Sequence, residues 1–306
     1  MSSPEEASEG PVNPLGVGAA AVAVVAWGLA AVVVKNIDLG SLAIASYRFA
    51  IYSITLVVFL ALRKTPVTTR VLRESFRGGV ALGLQVALFF SAVKLTSVAN
   101  ATVIGSLQPI VVAIVAARLF GERIDPRSIG LGLVAIAGAI TVVLAGANGE
   151  ESAIAGDLLA TAALALWAGY FVFSREAKEK ITPQEYTVGA SIWTALINIP
   201  LAIAFGQDLS WPSTPNWVWL IVLAFGSGLL GHSTMNWSIQ QIPLWISSTF
   251  TLLIPVISTI AAWVFLDEAL TGLQIIAIIV VVSALTGIVA GQSGSIARPR
   301  PRILRR

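Results

Sequence analysis

Three polar side chains recur on one helical face of segment 216–240, where His232, Asn236 and Gln240 stand at i, i+4 and i+8. Amide and imidazole groups at that spacing can hydrogen-bond a polar solute without a fixed charge, or they can tie neighbouring helices together. In segment 155–174, Trp167, Tyr170 and Ser174 at i, i+3 and i+7 form a flat aromatic face with hydrogen-bonding edges, which suits amphiphilic ligands. Trp and Tyr also gather at membrane interfaces, but Trp167 lies well inside its segment. Asn100, Ser106 and Gln108 lead into Pro109, while Ser248, Thr251, Ser258 and Thr259 flank Pro255. Gln85 and Trp27 complete the set of residues expected to meet a substrate.

Other chemistries are poorly served. The chain has no cysteine and one histidine, so a thiolate metal site and a disulfide framework are both impossible. No activated nucleophile, carboxylate pair or metal-ligand cluster stands out, and we expect no enzyme, no catalytic residue, no metal and no cofactor. The G-x-G-x-x-G of Gly226, Gly228 and Gly231 lies inside a helical segment rather than after a strand, so it reads as small-residue packing, as do Gly79 with Gly83 and Gly287 with Gly291. No P-loop is present.

These residues are set in a chain of 306 residues that is 56% hydrophobic and 11% charged, with mean hydropathy +0.85. A bilayer-crossing helix needs about 20 mainly apolar residues, and ten stretches pass that test, at about 15–34, 41–62, 75–94, 98–118, 128–146, 155–174, 184–205, 216–240, 245–266 and 272–290. We number them spans one to ten. Unbroken runs such as Ile275 to Val280 lack the alternation of a membrane barrel. The expected fold is all-α and integral to the membrane, with the lipid bilayer as partner.

Basic residues mark the cytoplasmic side. The even-numbered loops and the tail hold 16 Lys and Arg, whereas the odd-numbered loops hold only Lys35 and Lys94. Both termini are therefore expected in the cytoplasm. The arginine-rich tail is expected to anchor topology and not to bind nucleic acid. Residues 1–14 carry Glu5, Glu6 and Glu9 but no Lys or Arg, unlike a cleaved signal, so the first helix is expected to be retained. Arg48 is the one charge clearly within a span, on the order of 10 Å deep. It could meet a substrate carboxylate, but snorkelling to the interface is the favoured reading.

The chain also repeats itself. Residues 109–124, PIVVAIVAARLFGERI, align without a gap on 255–270, PVISTIAAWVFLDEAL, pairing Pro109 with Pro255 and Glu122 with Glu268. Trp27 pairs likewise with Trp167. The organisation expected is a segment 1–14, a first five-helix repeat 15–146, a second 155–290 and a basic tail 291–306. Five is odd, so the repeats should be inverted, an architecture that holds substrate between the halves. Each proline removes a backbone hydrogen bond, so paired kinks are expected at Pro109 and Pro255.

With Pro109 to Glu122, Pro255 to Glu268, Trp27-Gly28 and Arg48-Phe49 in view, the chain resembles the drug/metabolite transporter superfamily, in its bacterial ten-helix branch with two EamA-type repeats. Through LWAGY at 166–170, SLQP at 106–109 and MNW at 235–237 it is similar to YddG-type amino-acid exporters. The resemblance implies a bacterial inner-membrane protein that exports neutral amino acids from a cavity between the halves.

The residues themselves support a carrier of small neutral or amphiphilic solutes working by alternating access, with spans one, three, four, six, eight and nine around the substrate. A carrier of nucleosides or lipophilic cations, or a non-transporting scaffold, are the alternatives. With no Asp or Glu central in any span, uncoupled transport is the simpler expectation. His232 is the one candidate proton carrier, and plain hydrogen bonding is its favoured role. Nothing in the residues specifies an oligomer.

Overall fold

The computed structural model describes residues 12–95, 98–145, 154–267 and 269–294, and every regular element in them is helical. In lipid the backbone must satisfy its own polar groups, which helices do within one segment. The first half contains α1 (Pro14–Lys35), α2 (Ser41–Leu62), α3 (Thr69–Leu95), α4 (Val98–Gly105), α5 (Gln108–Leu119) and α6 (Pro126–Ala145). The second contains α7 (Ile154–Ala177), α8 (Pro183–Ala204), α9 (Thr214–Leu223), α10 (Ser233–Gln241), α11 (Leu244–Thr249), α12 (Leu253–Leu266) and α13 (Gly272–Gly294).

Among the described residues, nine helical stretches are long and apolar enough to cross a membrane. The third of the ten expected spans, 75–94, is not among these nine; it belongs to α3, which starts earlier, at Thr69. Hydropathy falls where Arg70, Arg73, Glu74 and Arg77 begin, but such residues form helix well in water, so the helix runs on past the apolar stretch. Local signals fix several ends. Asn13 accepts from the Leu15 amide at 3.0 Å, Thr182 and Glu185 form a reciprocal capping box at α8, and Gly206 follows that helix with φ +65°.

Three spans are interrupted. Span four breaks between α4 and α5 at Ser106 and Leu107, with Pro109 in the first turn of α5. Span nine passes through a 3₁₀ turn at Phe250–Leu252, just before Pro255. Span eight carries a π-helical stretch, Ala224–His232, between α9 and α10. Such stretches favour functional sites.

The packing keeps its pattern when the halves are exchanged. α3 lies against α7 and α8, as span eight lies against α1 and α2; α4 and α5 meet α7 as α12 meets α1; and α6 packs on α13. Small residues allow these approaches. A Cβ on Gly28 would come within 2.6 Å of Ile257, one on Gly138 within 2.7 Å of Val281, and one on Gly287 within 3.0 Å of Leu131. Gly79 and Gly83 similarly face Trp193 and Ile197. Gly226 and Gly291 face open space, which corrects the packing role expected of them. Exposed Leu133, Ile276, Ile279 and Val282 give the outer surface of the bundle the apolar character lipid requires.

The basic loops meet at one end. Arg70 donates to the Lys180 carbonyl at 2.7 Å, Lys180 pairs with Glu74 at 2.9 Å, and Arg77 pairs with Glu176. The Lys180 ammonium, hydrogen-bonded to Glu74, holds that carboxyl below the usual carboxylate range. The basic tail from residue 295 onward, Glu268 and the segment 1–11 lie outside the described residues.

Candidate functional site

The polar residues of the spans converge where the halves meet. His232, at the end of the π-helical stretch, sits among four aromatic rings. Its centroid is 5.2 Å from Trp27, 5.8 Å from Phe49, 5.9 Å from Tyr170 and 6.2 Å from Tyr52. Trp27 and its repeat partner Trp167 meet edge-on at 6.3 Å. Both are half-buried, as is Gln85. Glycine makes room for this cluster: a Cβ on Gly231 would lie 2.5 Å from Trp27 Nε1, and one on Gly228 3.3 Å from the Tyr52 ring.

Arg48 departs from its favoured reading. Instead of snorkelling outward, its Nη2 donates to His232 Nε2 at 3.2 Å and lies 3.4 Å from the Ser227 carbonyl, which also accepts from Trp27 Nε1 at 3.0 Å. Inside the bundle a backbone carbonyl and a histidine without a carboxylate partner supply acceptors for Nη2.

The polar stripe of span eight is buried throughout, but its members differ. Asn236 donates from Nδ2 to Tyr170 Oη at 2.7 Å and to Thr187 Oγ1 at 2.9 Å, while its Oδ1 accepts from Ser174 Oγ at 3.0 Å. Both amide protons and one lone pair of Oδ1 are thus engaged between spans six, seven and eight. The amide nitrogen of Gln240 has no partner. Across the halves, Thr251 Oγ1 lies 3.3 Å from Gln108 Oε1 and donates to the Ser248 carbonyl at 2.7 Å, and Gln108 Nε2 is also unpartnered. Ser106 donates to the Thr102 carbonyl at 2.9 Å. The side chain of Asn100 lies outside the described residues.

Gln108, Asn236 and Thr251 are buried, so the polar centre is closed over them. A groove of about 440 Å³ lies elsewhere, between α1 and span eight, lined by Val25, Leu29, Val222 and Leu230. It is apolar and leads toward lipid-facing side chains.

One arrangement was only partly legible from the sequence. Glu122, read there as a repeat marker, accepts from the amides of Leu244 at 2.7 Å and Trp245 at 3.2 Å, capping the first turn of α11. Arg175 stands 3.7 Å from the same carboxylate and donates to the Ile239 carbonyl at 2.6 Å. Four spans are thereby fastened at the end that carries the basic loops. The matching of Glu122 with Glu268 was the available signal, but spacing does not reveal a partner.

A bundle of broken apolar helices around a polar, aromatic centre is the architecture of a multi-pass membrane protein, and the family match makes its class a small-molecule transporter. The chain belongs to the EamA-like transporter family, whose model matches it twice, at residues 14–144 and 154–290. It is 27% identical over 279 residues to a probable amino-acid metabolite efflux pump of Salmonella typhimurium, covering 87% of this chain and 92% of that protein. It is 26% identical over 284 residues, with the same coverages, to the protein of that description in Escherichia coli. Over 154 residues it is 32% identical to the aromatic amino acid exporter YddG of Ancylobacter novellus, covering 49% of this chain and 52% of that protein. A solved crystal structure shares the fold with TM-score 0.79 at 21% identity, covering 94% of this chain and 99% of the other.

Proposed function

We propose that the protein exports neutral amino acids, or similar small amphiphilic metabolites, across the bacterial inner membrane by alternating access between two inverted five-helix repeats, 15–146 and 155–290. The observation that carries this reading is the meeting of Trp27 and Trp167 beside His232 at the junction of the halves. Aromatic faces hold an apolar side chain, and nearby unsaturated polar groups hold a backbone-like head. The efflux-pump and exporter relatives support the same substrate class. Trp27, Gln85, Gln108, Trp167, Tyr170, His232 and Thr251 are the lining in this account, and Asn236 holds Tyr170 in place.

The closed centre is one state of the cycle, with the Glu122–Arg175 fastening shutting the cytoplasmic end and both termini lying on that side. The breaks before Pro109 and Pro255 let spans four and nine bend as it opens. Transport is uncoupled. His232 Nε2 already accepts from Arg48, so protonating it would break that bond and set two cations together. Cells loaded with a labelled neutral amino acid should lose it faster when they produce the wild type than when they produce Trp27→Ala or Trp167→Ala. Equal loss from all three would refute the role of this centre.

A further inference from the structure

The cluster around His232 is rich in donors and poor in acceptors. Arginine has donors only, so where Arg48 Nη2 meets His232 Nε2 the imidazole nitrogen must accept, and the ring proton then sits on Nδ1. That N–H is buried and has no partner. Arg48 Nε is likewise buried and unpartnered, and the buried hydroxyl of Tyr52 meets no partner in hydrogen-bonding geometry. Arg48 and Tyr52 are four residues apart on α2, hence on one helical face, and Tyr52 stacks on His232 with planes 26° apart. Tyr52 is 2% exposed and His232 6%. Among the described residues no carboxylate pairs with Arg48.

A half-buried guanidinium without a counter-charge, beside buried donors left without an acceptor, is costly. The ligand that would satisfy them together is a small anion with several lone pairs, and a planar carboxylate matches the guanidinium fork best. We infer that Arg48, His232 and Tyr52 form a carboxylate subsite, which orients the substrate with its acid end toward α2 and its side chain toward Trp27 and Tyr170. The inference rests on the transport reading above for the identity of the substrate. It adds that a free carboxylate, more than the amino group, is what the protein requires.

Three probes with one ring and one chain length test this: 3-phenylpropanoate, 3-phenylpropanamide and phenethylamine. Each is added to the purified full chain in detergent, where the unfolding temperature is read, and to proteoliposomes, where inhibition of amino-acid uptake is read. The acid should stabilise the protein, and its inhibition constant should be at least about tenfold lower than those of the amide and the amine, as expected for a charge-assisted pair. Arg48→Gln should abolish the preference for acid over amide, and Arg48→Lys should retain part of it. Equal action of acid and amide on the wild type overturns the subsite, whether or not either variant folds. If the wild type takes up amino acids and Arg48→Gln still prefers the acid tenfold, the subsite falls and the transport reading stands. If no amino acid is taken up, that reading fails, and the thermal shift alone decides the subsite: preference for the acid supports it and none overturns it.

Discussion

The Glu122 carboxylate accepts the amide of Leu244 at 2.7 Å, so the loop after α5 caps the start of α11 across 122 residues of chain. This contact joins the halves at a helix terminus, where free N–H groups and the helix dipole favour a negative charge. Arg175 then balances that charge from α7.

Replacing Glu122 by Ala should strand two amides and leave Arg175 unbalanced, loosening this end by about 2–3 kcal/mol. Because the natural chain has no cysteine, a single Ser248→Cys can be labelled without background. A membrane-impermeant maleimide should modify it faster with Glu122→Ala than with Glu122 intact. Unchanged labelling would show that the contact closes nothing.

Asn236 makes three buried hydrogen bonds to three residues of two other spans. Interhelical bonds of this kind contribute roughly 0.6 kcal/mol each on average, so Asn236→Ala should cost about 1–3 kcal/mol in unfolding assays. A double-mutant cycle with Ser174→Ala should show coupling. The apparent KM for an amino acid should change less than it does for Trp167→Ala.

The glycines divide by what a Cβ would meet. Gly28→Val should clash with Ile257, which stands 2.6 Å from the Cβ position, and lower stability by about 1–3 kcal/mol. Gly226→Ala, with open space around it, should be neutral or slightly stabilising in the same thermal measurement.

Asp125 caps α6, accepting from the Ser128 amide at 3.0 Å and from its hydroxyl at 2.6 Å. The Ser128 hydroxyl is the main cause that holds this carboxyl below the usual range. Its folded value is depressed, so its contribution is present above the unfolded value near 3.9 and is lost as pH falls through the lower folded value. Asp125→Ala should cost about 1 kcal/mol at neutral pH, and the gap to wild type should narrow in acid, as read by unfolding at stepped pH.

Hydropathy located nine of the ten expected spans, because a lipid-crossing helix must be apolar for its full length, and α2 ends where the apolar run ends, at Ser41 and Leu62. It failed at the start of α3, whose charged first turns stay helical outside the apolar layer. The proline positions pointed to the breaks in spans four and nine. The π-helical stretch of span eight had no comparable signal, since glycines permit several backbone paths. For His232, Asn236 and Gln240, periodicity showed a buried polar face but could not separate a lining residue from an interhelical tie; Asn236 makes three interhelical bonds. For Arg48 the sequence allows both an outward and an inward course, and only the position of the partner, His232, decides between them.

The most direct test of the account is uptake of labelled L-phenylalanine and L-threonine into liposomes containing the purified protein, with and without an imposed pH gradient. The account predicts saturable uptake that needs no pH gradient and weakens when Trp27 or Trp167 becomes Ala. Absence of saturable uptake of either amino acid under both conditions would contradict it.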